Sequence, residues 1–219
     1  MSEDESIKII LLGETGTGKS NLINVCCNLK FNPNCLSNIS CSSLEKKIII
    51  HNIQYTIKLW DTAGQEKFRS LNNLFVKDAK ICVFVYDNTD RKSFEDLDFW
   101  VKTVDELLWK EPILGIVANK SDLIVKEKVE ESEGKEYAEK IGASFYKTSA
   151  KTDKEGFSNF INKLVEEFLT KNHLIGWEFY SKDSSTSDNI SLNKGSQNKR
   201  KKRKKNKNKD DQNLCYISY

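Results

Sequence analysis

Apolar and polar positions fall along this chain in blocks whose period names the element. Ile7-Lys8-Ile9-Ile10-Leu11-Leu12 is an apolar run of strand length, and Leu22, Val25, Cys26 and Leu29 then recur at helical spacing. The Gly-rich segment between them therefore joins a strand to a helix. The polar stretch 32–43 carries no assignable period. Ile48 to Ile50 and the alternating Ile53, Tyr55, Ile57 and Leu59 predict two strands turned back at His51-Asn52, a hairpin. Ile81 to Tyr86 is apolar without a break, as a strand buried on both faces requires. Phe94, Leu97, Val101, Val104 and Leu108 step by threes and fours and predict an amphipathic helix. Ile113 to Ala118 predicts another buried strand, Ser132 to Ile141 a polar helix, and Ala143 to Tyr146 a strand edge. Phe157, Phe160, Ile161, Leu164, Val165 and Phe168 form the cleanest helical stripe, with Gly176 a little beyond its end.

Strand alternating with helix implies right-handed crossovers, hence an α/β fold with helices on both faces of a mostly parallel sheet. Six strands are expected, one of them antiparallel through the hairpin. Ligands of such folds sit at the carboxyl ends of strands. From Ser181 onward apolar residues are too sparse to offset the entropy of ordering the chain, so disorder is expected there. The reading divides the chain into a domain over 1–171 and a tail over 172–219, with no internal repeat.

Charge sharpens that division. Net charge is +3, but residues 199–209 hold nine of the 35 Lys and Arg. Setting aside those nine and the acids Asp210 and Asp211 leaves 26 basic and 30 acidic residues in 1–198, so the body is −4 and the last 21 residues are +7. Contact with a polyanion is therefore expected to be local to the tail. Three readings of the basic run stay open: an anionic membrane surface first, then nuclear or nucleic-acid targeting, then a solvated tail. The six cysteines (Cys26, Cys27, Cys35, Cys41, Cys82 and Cys215) contain no C-x-x-C pair and are expected to be reduced cytosolic thiols. His51 and His173 stand alone in polar settings and are expected to be solvated or loop residues rather than metal ligands. Met1-Ser2-Glu3-Asp4-Glu5 is unlike a signal peptide, and no run approaches the roughly 18 apolar residues of a membrane span.

The chemistry is carried by motifs at strand ends. Gly13-Glu14-Thr15-Gly16-Thr17-Gly18-Lys19-Ser20 spells G-x-x-x-x-G-K-S directly after the first strand. Such a loop turns backbone N–H groups toward phosphate at a helix N-terminus. Lys19 supplies a point charge for the β and γ phosphates, and the Ser20 hydroxyl is a hard oxygen suited to Mg²⁺. Asp61-Thr62-Ala63-Gly64-Gln65-Glu66 closes the Ile53 to Trp60 strand. There Asp61 could hold Mg²⁺ through water, Gly64 could give its N–H to the γ-phosphate, and Gln65 could orient an attacking water. Asn119-Lys120-Ser121-Asp122 follows the Ile113 to Ala118 strand, and a fixed carboxylate at Asp122 could accept N1–H and the 2-amino group of guanine. Adenine offers neither pattern, so such a site discriminates by about 10⁴ or more. Thr148-Ser149-Ala150-Lys151 could add the Ala150 N–H to guanine O6.

With these four motifs in order, the chain resembles a small GTPase of the Ras superfamily, a P-loop NTPase, and most of all the Rab branch, over about residues 6–171. Trp60-Asp61-Thr62-Ala63-Gly64-Gln65-Glu66-Lys67-Phe68-Arg69-Ser70, Val85-Tyr86-Asp87 and Ser93-Phe94 carry the Rab likeness. The resemblance implies GTP and GDP as ligands, Mg²⁺ as cofactor, and Gln65 as the catalytic residue of a slow hydrolysis. It extends the nucleotide contacts to Thr15, Gly16, Thr17, Gly18, Asn21, Leu123, Ser149 and Lys151. It places Phe31 as an aromatic edge against guanine, with a hydrophobic loop plug as the alternative, and the Lys120 stem over the base. It further implies an exchange factor, a GTPase-activating protein, effectors, a monomeric switch in vesicle traffic, and a cytoplasmic location at the cytosolic face of a membrane.

Three departures from the Rab pattern stand out. Eighteen residues past Ser20, where the family has a Mg²⁺-binding threonine, this chain has Asn38 in Ser37-Asn38-Ile39-Ser40. Mg²⁺ tolerates little error in ligand distance, so a weakened switch is expected, and with it a rival reading as a nucleotide-holding interaction scaffold. Cys41-Ser42-Ser43 replaces the Val-Asp-Phe that Rab proteins present to effectors. Cys215 stands one residue too far from the end for a C-a-a-X prenylation box, which would need cysteine at Tyr216. An ATP-using P-loop enzyme is disfavoured by Asp122.

Overall fold

The computed structural model describes residues 6–33, 42–62 and 76–174. Asn38, Gly64, Gln65, Cys215 and the tail with its basic run lie outside the described residues. The six strands are β1 (Ile7–Leu12), β2 (Ser42–Ile50), β3 (Ile53–Asp61), β4 (Ile81–Asp87), β5 (Ile113–Asn119) and β6 (Ser144–Lys147). They form one sheet in the order β2-β3-β1-β4-β5-β6, with β2 antiparallel to β3 and every other pair parallel. The helices described are α1 (Lys19–Cys26), α2 (Arg91–Glu95), α3 (Leu97–Leu107), α4 (Glu131–Ile141) and α5 (Gly156–Lys171), with a 3₁₀ turn at Ile124–Lys126. The fold expected from the alternation of strand and helix is the one observed.

Side-chain alternation along the strands splits the interior into two layers. Ile7, Ile9 and Leu11 of β1 and Ile81, Val83 and Val85 of β4 face α1 and α5, joining Leu22, Phe157, Phe160, Ile161 and Leu164. Ile10 and Leu12, with Cys82, Phe84 and Tyr86, face the opposite way onto Leu97, Trp100 and Val104 of α3 and Ala138 of α4. Both faces of β1, β4 and β5 are thus covered, which explains their unbroken apolar sequences.

Element limits differ from the periodicity in instructive places. The first helix stops at Cys26 rather than running through Leu29, because Asn28 takes a left-handed φ of 61°. Asn28 N–H then bonds Val25 O and Leu29 N–H bonds Asn24 O, a Schellman closure that leaves Leu29 half exposed. His173, φ 55°, closes α5 in the same way. The helix expected around Phe94 to Leu108 divides at Asp96, and the Asp90 carboxylate caps its first segment by accepting from Lys92 N–H. β2 begins six residues earlier than the Ile48 signal, since its polar part is held by ladder bonds to β3 and by the Lys58–Glu45 ion pair at 3.2 Å. His51 is the turn residue expected, with a left-handed φ of 49°, and its Nε2 lies 2.7 Å from Glu166 Oε1, which ties the hairpin to α5. Cys26, Cys27 and Cys82 are free thiols, and burial, with Cys26 alongside, pushes Cys27 up to about 11. Among the described residues no helix is long and apolar enough to cross a membrane, and no His, Cys, Asp and Glu cluster could hold a metal ion by itself.

Candidate nucleotide-binding site

The carboxyl ends of the parallel strands open onto one cavity of about 470 Å³. Its first wall is the loop from β1 into α1. Gly13, φ 144°, lies so close to β4 that a Cβ would run into the Val85 carbonyl, and at Gly18, φ 94°, a Cβ would strike the Asn119 amide. Only glycine lets the loop pass at these two points. Gly18 is also the N-cap of α1 and supplies no side-chain cap, so the first-turn amides of the helix are free of competition from a capping side chain. This is the arrangement that receives an anion.

Lys19 is 3% exposed, and its Nζ donates at 2.7 Å to both the Gly13 and Glu14 carbonyls. The ammonium is thereby held across the loop and aimed by neutral dipoles. The β1–β3 register sets Leu11 beside Asp61, bringing that carboxylate to the start of α1. Ser20 Oγ donates to Asp61 Oδ2 at 2.5 Å. Asp61 Oδ1 is buried with no partner among the described residues, and a buried carboxylate oxygen left in that state is costly. A hard oxygen pair carrying one unsatisfied buried oxygen has the donor set that Mg²⁺ takes.

The second wall comes from β5 and β6. Asn119 joins the two walls: its Nδ2 donates to Thr17 O at 2.7 Å and its Oδ1 accepts from Ala150 N–H at 3.1 Å. Asp122 Oδ1 accepts from Ser149 Oγ at 2.6 Å, which fixes the carboxylate's rotation at the cavity edge. Lys120 has a left-handed φ of 65° and an ion pair to Asp87 Oδ2 at 2.6 Å. Beneath Ser149, Asp153 accepts from Thr148 Oγ1 at 2.6 Å, Tyr146 OH at 2.9 Å and Gly156 N–H at 2.7 Å. Burial raises the Asp153 carboxyl, but these donors outweigh it and hold the group below the ordinary aspartate range.

The cavity brings together Gly16, Gly18, Lys19, Ser20, Asn21 and Phe31 from the first half of the chain with Asn119, Lys120, Asp122, Leu123, Ser149, Ala150 and Lys151 from the second. Thr15 is exposed, and Thr17 is buried with its hydroxyl turned back to Glu14 O at 2.9 Å, so neither lines the cavity. Asn21 receives and gives a bond to the Asn32 backbone, at 2.9 and 3.0 Å, and so pins the segment that carries Phe31. Phe31 both lines the cavity and packs on the core, as each of its two readings requires. Pro33, Asp87 and Asp153 were not singled out as site residues by sequence. Pro33 lines the cavity outright, whereas Asp87 and Asp153 act through partners brought near only by the fold.

A family model described as the Ras family matches residues 8–170. The chain is 38% identical over 164 residues to the Ras-related protein Rab-21 of Mus musculus, covering 74% of each chain. It is 35% identical over 199 residues to the Ras-related protein SEC4 of Saccharomyces cerevisiae, covering 90% of each. To the Ras-related protein Rab-2B of Dictyostelium discoideum it is 38% identical over 170 residues, 78% of this chain and 84% of that one.

Proposed function

The chain belongs to the Ras family of small GTPases, and from that footing we propose that it is a Rab-like guanine-nucleotide switch serving vesicle traffic. The observation that carries this reading is the pairing, across one cavity, of an ammonium held at one wall by Gly13 and Glu14 with a carboxylate fixed at the other by Ser149. Lys19 and the α1 amides receive the phosphates, and Asp122 accepts from N1–H and the 2-amino group of guanine. Asn119 keeps the two ends in register through Thr17 O and the Ala150 N–H, and that N–H would share or exchange its bond with O6 when guanine docks. Ser20 and Asp61 would hold Mg²⁺, which neutralises phosphate charge when bound. Gln65 positions the attacking water, and without a partner to supply a further cation turnover is on the order of 10⁻⁴ per second. Calorimetry on the full chain is expected to show GDP bound at least about 10⁴-fold more tightly than ADP. Equal affinity for the two overturns the reading, as does hydrolysis of ATP as readily as GTP.

Asn38 favours a second reading, a nucleotide-holding scaffold whose partner set does not change with the nucleotide. Equal partner capture by GDP-loaded and GTP-analogue-loaded protein supports the scaffold, and state-selective capture supports the switch. At the level of the loop itself, a GTP analogue is expected to suppress proteolysis of residues 32–43 less strongly than it does in an Asn38→Thr variant. Equal suppression removes the case for a weakened switch.

A further inference from the structure

Asp87 is a charged residue that the nucleotide reading leaves without a role, yet it stands directly behind Lys120 in the wall of the site. The β4–β5 register pairs Asp87 with Asn119, the last residue of β5, so Asp87 stands one position from Lys120 just past that strand's end. Its Oδ1 accepts from Thr89 N–H at 2.8 Å and Thr89 Oγ1 at 2.7 Å, and its own N–H bonds Ser93 Oγ at 3.0 Å. The carboxylate is thus oriented by its own strand end before any lysine reaches it. The remaining oxygen, Oδ2, takes the Lys120 ammonium at 2.6 Å. The Asp87 side chain is 11% exposed and that of Lys120 33%, so the pair is shielded on the carboxylate side. Lys120 keeps a left-handed backbone, which a side chain with a Cβ adopts only where its surroundings enforce it.

A lysine has four rotatable bonds, and one whose ammonium had no fixed partner would sample many positions of its stem. We propose that Asp87 is a positioning residue for guanine recognition: by holding the Lys120 ammonium it lays the lysine's methylene stem along the cavity wall where the base docks. The inference rests on the nucleotide reading above. The gain is preorganisation: side-chain entropy is lost on folding rather than when nucleotide binds. Asp87 does not itself line the cavity, so its effect belongs to nucleotide affinity and release and leaves the chemical step alone.

The test is a double-mutant cycle on the full chain, reading equilibrium affinity and release rate of a fluorescent GDP analogue. Asp87→Asn is the informative variant, since the amide oxygen still accepts from Thr89 while the amide nitrogen no longer attracts an ammonium. It is expected to raise Kd about three- to tenfold, mostly through faster release, the scale set by immobilising one long side chain. Lys120→Met keeps an apolar stem without the charge, and in that background Asp87→Asn should change Kd less than twofold. The single-turnover hydrolysis rate of GTP already bound should not move. Thr89→Ala, which removes one donor that orients the same carboxylate, should shift Kd in the same direction by a smaller factor and serves if the Asn variant does not fold. An equal cost of Asp87→Asn in both Lys120 backgrounds, or no cost with Lys120 present, overturns the inference while leaving GDP binding intact. Failure of the unmutated chain to prefer GDP over ADP is a different result and removes the nucleotide reading itself.

Discussion

Gly18 is a position where a single added carbon would strike the residue that spans the site. Its φ of 94° disfavours any Cβ, and the atom that Cβ would meet is the Asn119 amide that joins both walls of the site. Gly18→Ala is therefore expected to abolish retention of GDP through gel filtration, with the α1 N-terminus pushed away from Asn119. Retention at the level of the unmutated chain removes the argument for the close approach. Asp122 makes the complementary test at the base. Two hydrogen bonds to a charged acceptor, at about 1.5–3 kcal/mol each, predict that Asp122→Asn weakens GDP by at least about 100-fold. Xanthosine diphosphate carries a carbonyl where guanine has its amino group, so the asparagine amide should accept N1–H and donate to that oxygen. The expected outcome in a competition titration is reversed preference, xanthosine over guanosine diphosphate. Uniform weakening of both would place Asp122 away from the base.

At the scale of elements, the segment from β6 into α5 is a polar staple around one carboxylate. Asp153 joins Tyr146 of β6, Thr148 of the loop and Gly156 at the start of α5. Its folded-state pKa is depressed, so its contribution to stability is present above the ordinary aspartate value and is lost as pH falls through the folded one. Melting followed from pH 7 downward should therefore show Asp153→Asn already destabilised at neutral pH, with a shallower loss below about pH 4 than the unmutated chain. Parallel acid limbs would refute the assignment. One layer deeper, an added Cβ at Gly115 in β5 would lie 2.9 Å from Leu164 Cδ1 and 3.2 Å from the Phe160 ring. Gly115→Ala should lower the melting temperature, and part of that cost should vanish in Leu164→Ala, which itself costs about 2–5 kcal/mol. Strict additivity of the two changes would show that they do not share this space. These elements were legible in sequence where burial is two-sided, as in β4 and β5, or where a face is apolar at helical spacing, as in α5. The polar half of β2 was not, because an edge strand held by ladder bonds and a Lys–Glu pair leaves no apolar period. The end of α1 does not follow its apolar spacing because Asn28 takes the left-handed turn that glycine more often supplies. In the site, Lys19, Ser20 and Asp61 were legible from local motifs. Asp87 and Asp153 were not, because their roles arise only when separate strands are laid side by side.

For the whole molecule the governing quantity is the separation of charge, −4 over residues 1–198 against +7 over the last 21. An anionic bilayer repels the first and attracts the second, so any electrostatic binding must come from the tail and must weaken as salt shortens the screening length from about 10 Å at 0.1 M toward about 3 Å at 1 M. Each cation near the surface contributes about 1 kcal/mol at most, enough for reversible binding without a lipid. Flotation of the full chain with phosphatidylserine-containing vesicles should fall steeply across that salt range. It should disappear when the nine Lys and Arg of 199–209 are changed to Gln, and be absent on neutral vesicles. Binding that persists in high salt would instead require an apolar anchor, and intact mass of protein isolated from its own cells would show whether Cys215 carries one. Retention on RNA with loss on vesicles would assign the basic run to nucleic acid, because both surfaces are anionic and only direct competition between them separates the two.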